Sequence, residues 1–211
     1  MNKIIVFGAS GATGSLFVKQ ALEAGYEITA LVRNPAAFTL EHSNLVIIQG
    51  DVMEKETFAK AMEGKDAVIS ALGNRSTKPT TLYSTGMKNI IASMQENGVK
   101  RIICITAGAL YTNPKMGFFI RLLTKVVLQR ILKEPYADMR LMEKEIQQTN
   151  LDYTIMRPPM LKDKPMKAKY RTAVNGHITR PFSIARADVA HYMLNHLDDR
   201  QTFKSIVEVS Y

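Results

Sequence analysis

Gly8, Gly11 and Gly14 stand three residues apart in GASGATG, directly behind the apolar run KIIVF and ahead of SLFVKQALEAG. Between a strand and a helix each glycine has its own role. One makes a tight turn, one lets the backbone approach a pyrophosphate, and one allows close packing of helix on strand. The free N–H groups and positive dipole end of the helix then favour phosphate. A dinucleotide is the expected ligand. Ser15, not lysine, follows Gly14, which argues against a loop for nucleoside triphosphates. The second strand ends in LVRNP, so Arg33 stands where an acid would bind a ribose 2'-hydroxyl. Arginine suits a 2'-phosphate, and NADP(H) is the expected form; the plain alternative is a surface arginine beside a turn.

Acid–base chemistry has weaker candidates. A Tyr-x-x-x-Lys pair on one helical turn lets the lysine lower the tyrosine pKa. Tyr111 and Lys115 have that spacing, but Pro114 lies between them and removes the helix that would align them. Tyr136 and Arg140 repeat the spacing in YADMRLMEKEI, where arginine acts only as a fixed charge. Tyr136 is kept as a catalytic candidate, with a solvated helix face as the alternative. His42, His177, His191 and His196 are scattered without the flanking ligands of a metal site, so no metal is expected. Cys104, inside RIICIT, reads as a small buried hydrophobe.

The elements that must position these residues alternate. KIIVF, YEITALV, NLVIIQ, DAVISAL, RIICIT and LDYTIMR read as strands, and SLFVKQALEAG, KETFAKAMEG, TLYSTGMKNIIASMQENG and DMRLMEKEIQQTN as helices. Such alternation predicts an α/β fold of the Rossmann type, a doubly wound parallel sheet covered on both faces. The 211 residues suit one domain, 1–211. After Pro158 the pattern loosens, and residues 158–185 read as an irregular substrate-side segment at the carboxyl edge of the sheet. A last helix from Arg186 to His196 and the strand SIVEVS follow.

Charge and composition narrow the partners. Hydrophobic residues at 46% and charged residues at 22% match a globular protein. One cysteine excludes an intrachain disulfide, and MNKIIVFGAS lacks the pattern of a signal peptide, so a cytoplasmic setting is expected. The net charge is +9, and the basic residues Lys162, Lys164, Lys167, Lys169, Arg171, Arg180 and Arg186 face the single acid Asp163 between 160 and 186. No aromatic or arginine-rich signature accompanies them, so nucleic acid is not expected. The apolar stretch GFFIRLLTKVVLQRIL is interrupted by Arg121, Lys125 and Arg130, and is too short for a transmembrane helix. Its stripe Ile120, Leu123, Val127, Leu128 and Ile131 reads as core packing. Phe118, Phe119, Leu122 and Val126 lie beyond it, leaving a homodimer contact, a pocket wall or a membrane-surface contact open.

Taken in order, GASGATG, AGYEITALVRNP, GDV at 50–52, DAVISALGN, GVKRIICITAGAL and LDYTIMRPP resemble the atypical short-chain dehydrogenase/reductase group, in particular its NmrA-like and NADPH-dependent flavin reductase (biliverdin reductase B)-like family. The resemblance spans nearly the whole chain. It implies that Ser10, Gly11, Ala12 and Thr13 line the pyrophosphate and that Arg33 meets the 2'-phosphate. Asp51 and Val52 would flank the adenine, with Ala71, Leu72 and Gly73 under the ribose and Thr106 near the nicotinamide. Met156 to Pro159 would back the nicotinamide, with Pro158 and Pro159 shaping the substrate side. For Asp51, a turn residue capping the next helix is the alternative. Ala107 stands where the flavin reductases have a substrate-binding serine.

The expected activity is hydride transfer from NADPH to a small planar acceptor such as a flavin or quinone, which demands no dedicated protein acid. Thr106 is the second catalytic candidate. Lys162, Lys164 and Lys167 would suit an acceptor phosphate. The rival is a non-catalytic, NmrA-like sensor of NADP(H). A sugar-nucleotide epimerase is disfavoured by the absent Tyr–Lys helix and the short C-terminal region.

Overall fold

The computed structural model describes residues 1–74, 76–115, 117, 121–122 and 124–211. Its strands and principal helices, in chain order, are β1 (Lys3–Phe7), α1 (Ala12–Glu23), β2 (Glu27–Val32), β3 (Leu45–Gln49), β4 (Ala67–Ser70), α2 (Leu82–Glu96), β5 (Arg101–Ile105), α3 (Lys133–Gln147), β6 (Asp152–Met156), β7 (Met160–Lys162), β8 (Arg171–Val174), β9 (Ser183–Ala185), α4 (Arg186–Asn195) and β10 (Ser205–Ser210). Eight strands form one sheet in the order β3-β2-β1-β4-β5-β6-β10-β8. Every neighbouring pair is parallel except β10 with β8. The expected doubly wound Rossmann-type α/β fold is therefore present, with one antiparallel edge strand.

Alternation along β1 sends Ile4 and Val6 into one core and Ile5 and Phe7 into the other. The first core lies under α1 and α4, with Phe17, Val18, Val189 and Met193. The second lies under α2 and α3, with Met87, Ile90, Met142 and Ile146. A strand buried on both faces needs such a continuous apolar run.

Helix ends follow from local sequence. Beyond α1, Gly25 takes a positive φ of 87°, while Tyr26 N–H bonds Ala21 O and Gly25 N–H bonds Leu22 O. That is a Schellman stop, which glycine forms without a Cβ penalty. The start of α2 is capped from another helix: Asp138 of α3 accepts the Tyr83 and Ser84 N–H groups at 2.8 and 3.2 Å, and the Ser84 hydroxyl. Pro135 sits in the first turn of α3, where its missing N–H costs nothing.

Three expectations are corrected. KETFAKAMEG forms two 3-10 turns, Lys55–Thr57 and Ala59–Met62, instead of a helix. Thr57 Oγ1 bonds Glu54 O at 2.7 Å, and Phe58 drops between the turns to pack edge-on against Phe7. Residues 158–185 are not irregular throughout: β7 and β9 pair in a small parallel sheet, and β8 adds to β10. β8 is an edge strand without a buried residue, so it lacks an apolar alternation. Finally, Val127, Leu128 and Ile131 are exposed, not core. They lie on a π turn, Thr124–Leu128, and a single helical turn, Gln129–Ile131, in which only Thr124 is buried. Phe118, Phe119, Ile120 and Leu123 of the same stretch lie outside the described residues.

Candidate functional site

The strand order reverses between β1 and β4, and open α/β sheets bind ligands at the carboxyl ends flanking such a switch point. The glycine loop lies there. Gly8 has a φ of 76°, and a Cβ on it would stand 2.6 Å from the carbonyl carbon of Ala71, just past β4. A Cβ on Gly14 would stand 2.8 Å from the carbonyl carbon of Gly8. The loop and helix start are thus pressed together more closely than any side chain allows.

Gly11 N-caps α1 without a side-chain hydrogen bond, and the first turn carries no acid. Ser15 N–H, bonding Gly11 O at 2.8 Å, closes the first turn. Ser10, Gly11 and Ala12 are exposed at this tip, with Thr13 and Gly14 buried behind it. An uncapped, acid-free helix tip reached by a loop of glycines and small side chains fits a pyrophosphate.

Arg33 is the first residue past β2, exposed and without an ion pair among the described residues. Past β3, Asp51 accepts Met53 N–H at 3.0 Å, and its own N–H donates to Thr57 Oγ1. The turn-forming role is real, and one carboxylate oxygen remains outside it. Val52 is buried against Gly86 of α2, with Asn89 Nδ2 donating to its carbonyl at 2.9 Å. Past β4, burial falls from Ala71 through Leu72 to the exposed Gly73, where a Cβ would meet nothing within 4 Å.

The exits of β5 and β6 are stitched together. Thr106 N–H bonds Met156 O at 2.8 Å, and Gly108 N–H bonds Pro158 O at 2.7 Å. Met156 and Pro158 are buried, whereas Pro159 is half-buried. Beneath them lies a cluster that the sequence reading missed. Thr106 Oγ1 donates to Glu143 Oε1 of α3 at 2.8 Å. Arg157 grips the same carboxylate with two bonds, Nε to Oε1 at 3.0 Å and a terminal nitrogen to Oε2 at 2.5 Å. Glu143 is 1% exposed and Arg157 13%.

The Arg157 guanidinium also lies 4.2 Å from the centre of the Tyr111 ring, and Arg140 donates to Leu110 O at 2.9 Å. Burial, followed by the negative charge of Glu143, raises the Tyr111 pKa. The spacing pair Tyr111 and Lys115 shares no helix, and Lys115 N–H instead bonds Asn113 Oδ1. Tyr136 is buried on α3 and its pKa is raised by burial. It precedes Glu143 by two helical turns on the same face, roughly 10 Å along the axis.

Signals for the missed pair existed. Arg157 directly precedes Pro158 at a strand exit, and Glu143 interrupts the apolar stripe Met139, Met142 and Ile146. A carboxylate on a core-facing stripe requires a buried partner.

On the substrate side, Lys162 lies in β7 opposite Ala185 and is half-buried, while Lys164 is exposed. Other basic residues of this segment hold the fold. Arg186 pairs with Asp163 at 2.6 Å, Lys167 sits 4.6 Å from the Tyr211 ring centre, and Arg171 bonds Thr179 O at 2.8 Å.

A family profile described as NAD(P)H-binding matches residues 8–200. The chain belongs to this NAD(P)H-binding family. As a family member it is 31% identical over 160 residues to the photosystem II assembly factor Ycf39 of Synechocystis, covering 73% of this chain and 43% of that one. It is 28% identical over 123 residues to cinnamoyl-CoA reductase 2 of Arabidopsis thaliana, covering 53% and 37% respectively. The chain thus spans about two fifths of the length of these relatives. A short-chain dehydrogenase/reductase from Veillonella parvula in complex with NADP shares the fold, with a TM-score of 0.79 and 17% identity over 100% of this chain and 94% of that one. The NAD(P)H-binding family assignment agrees with the resemblance to atypical short-chain dehydrogenases, and it implies NAD(P)H as a small-molecule ligand.

Proposed function

We propose that the chain is an NADPH-preferring reductase that passes hydride to a small planar acceptor, a flavin or a quinone. Gly8, Ser10, Gly11, Ala12, Thr13 and Gly14 hold the pyrophosphate, and Arg33 the 2'-phosphate. Asp51 and Val52 border the adenine, Ala71, Leu72 and Gly73 the ribose, and Thr106, Met156 and Pro158 the nicotinamide. Bound NADPH supplies the hydride.

The observation that carries this reading is the Thr106 hydroxyl, whose proton is committed to the buried Glu143 carboxylate at the stitched exit of β5 and β6. A hydroxyl whose single proton is held by a carboxylate has only lone pairs left to offer. Thr106 therefore accepts a hydrogen bond, such as one from a carboxamide N–H, and does not release a proton to substrate. Among the described residues no helix carries a Tyr-x-x-x-Lys pair, which favours acceptors that need positioning more than a protein acid. Pro159, Lys162 and Lys164 line the acceptor side, the lysines offering charge to a phosphate.

The test is NADPH oxidation against a panel of FMN, simple quinones and aldehydes, beside binding titrations of NADPH and NADH. Oxidation with FMN or quinone, and tighter binding of NADPH, support the proposal. Tight binding with no oxidation by any acceptor would favour the sensor reading, and equal affinity for both dinucleotides would remove the role of Arg33.

A further inference from the structure

From Lys115 to Lys133 the sequence holds five basic residues, Lys115, Arg121, Lys125, Arg130 and Lys133, and no acid. All five are exposed. Between them Leu122, Val126, Val127, Leu128 and Ile131 are exposed as well, Ile131 to 59%. Scattered apolar residues are ordinary on a protein surface, but five within ten positions, interleaved with one sign of charge, mark an interaction surface.

We propose that the described residues of the stretch, 121–122 and 124–133, seat the protein on an anionic lipid surface. Aliphatic side chains enter the boundary between headgroups and acyl chains, while arginine and lysine stems lie along it with their charges among the phosphates. Two backbone groups of the stretch are satisfied locally: Arg121 N–H bonds Gly117 O, and Leu132 N–H bonds Leu128 O, both at 3.0 Å. Gln129 ties it to the body of the protein by donating to Ala109 O at 2.9 Å. A net charge of +9 adds attraction over a longer range.

Charge selects this occupant over a second copy of the chain. A two-fold contact through the segment would set Arg121, Lys125 and Arg130 against the same residues of the partner, with no acid between 115 and 133 to compensate. Nucleic acid would leave the aliphatic side chains without a partner. A cleft of 420 Å³ lined by Thr112, Pro114, Arg121, Leu122 and Lys125 joins the segment to the loop after β5.

The test is flotation of the full chain with phosphatidylcholine vesicles and with vesicles containing about one third phosphatidylglycerol. The protein is expected to float with the anionic vesicles only and to be released by high salt. Lys125→Gln with Arg130→Gln should weaken binding about thirtyfold, the effect of removing two basic contacts. Val126→Ser with Ile131→Ser should weaken it separately, while the pair Lys169→Gln and Arg180→Gln, outside the segment, should not. All six positions are exposed, and circular dichroism checks that each variant folds. No flotation with anionic vesicles, unchanged flotation of both segment variants, or loss only in the Lys169 and Arg180 pair would overturn the proposal. So would a dimer that Val126→Ser with Ile131→Ser dissociates, since the surface would then serve a second copy.

Discussion

Arg157 closes a two-bond fork on Glu143, at 3.0 and 2.5 Å, directly beneath the Thr106 hydroxyl. One carboxylate thereby joins α3, the exit of β5 and the exit of β6. Its partners fill both oxygens, which is what a nearly inaccessible charge requires.

Breaking this junction is expected to be costly. Removing one partner of a buried pair leaves the other charge uncompensated, at about 3–5 kcal/mol. Glu143→Ala should lose that much in urea denaturation, and Glu143→Gln less, because the amide oxygen still accepts a bond. Adding Arg157→Met to Glu143→Ala should recover part of the loss, since no lone guanidinium then remains. Additive losses would show that the two residues act separately.

The glycine loop makes a graded prediction. Gly8→Ala and Gly14→Ala place a Cβ against the backbone of Ala71 and Gly8, and Gly8 also has a positive φ. Each should cost about 1–3 kcal/mol and reduce dinucleotide affinity. Gly73→Ala meets open space and should stay within about 0.5 kcal/mol of the parent. Thermal unfolding with and without NADPH separates stability from binding.

Arg33 should set the choice of dinucleotide. A hydrogen bond to a charged group contributes about 1.5–3 kcal/mol, so Arg33→Gln is expected to weaken NADPH by tenfold or more and leave NADH nearly unchanged. Paired calorimetric titrations give both constants. Equal weakening of the two would place Arg33 at a contact they share.

One acid-range effect lies far from the site. The Asp66 pKa is lowered, first by hydrogen bonds from the Asn2 and Lys3 N–H groups. A carboxyl whose folded pKa lies below its unfolded value adds stability above the unfolded value, near pH 3.8, and loses it as pH falls through the folded one. Asp66→Asn should therefore flatten the stability profile below about pH 4 and change its shape little near neutrality. The effect is small because Asp66 is largely exposed. Urea midpoints from about pH 2.5 to 7 measure it.

The sheet was legible because β1, β2, β4 and β5 are short, largely apolar runs, and Gly25 and Gly98 end α1 and α2. The short strands after Pro158 were not, since β7 and β9 have three residues each and β8 buries none. The turns around Phe58 misled for another reason. Their apolar spacing suits a helix, but Thr57 captures the Glu54 carbonyl, and local side-chain bonds compete with helix.

At the site, the glycine loop and Arg33 could be read directly because their roles are local. Glu143 could not be placed by spacing alone, because its partners Thr106 and Arg157 lie 37 and 14 residues away. Only the folded sheet brings them together. The exposure of Val127, Leu128 and Ile131 was hidden likewise: a helical period states which residues share a face, not what covers it.

Anaerobic mixing of the protein with NADPH and FMN or a simple quinone, followed by absorbance at the reduced nicotinamide band, tests the central claim most directly. The expected result is protein-dependent loss of NADPH absorbance matched mole for mole by reduction of the acceptor, slower with Arg33→Gln at low NADPH. Saturating NADPH binding with no transfer to any acceptor would contradict it.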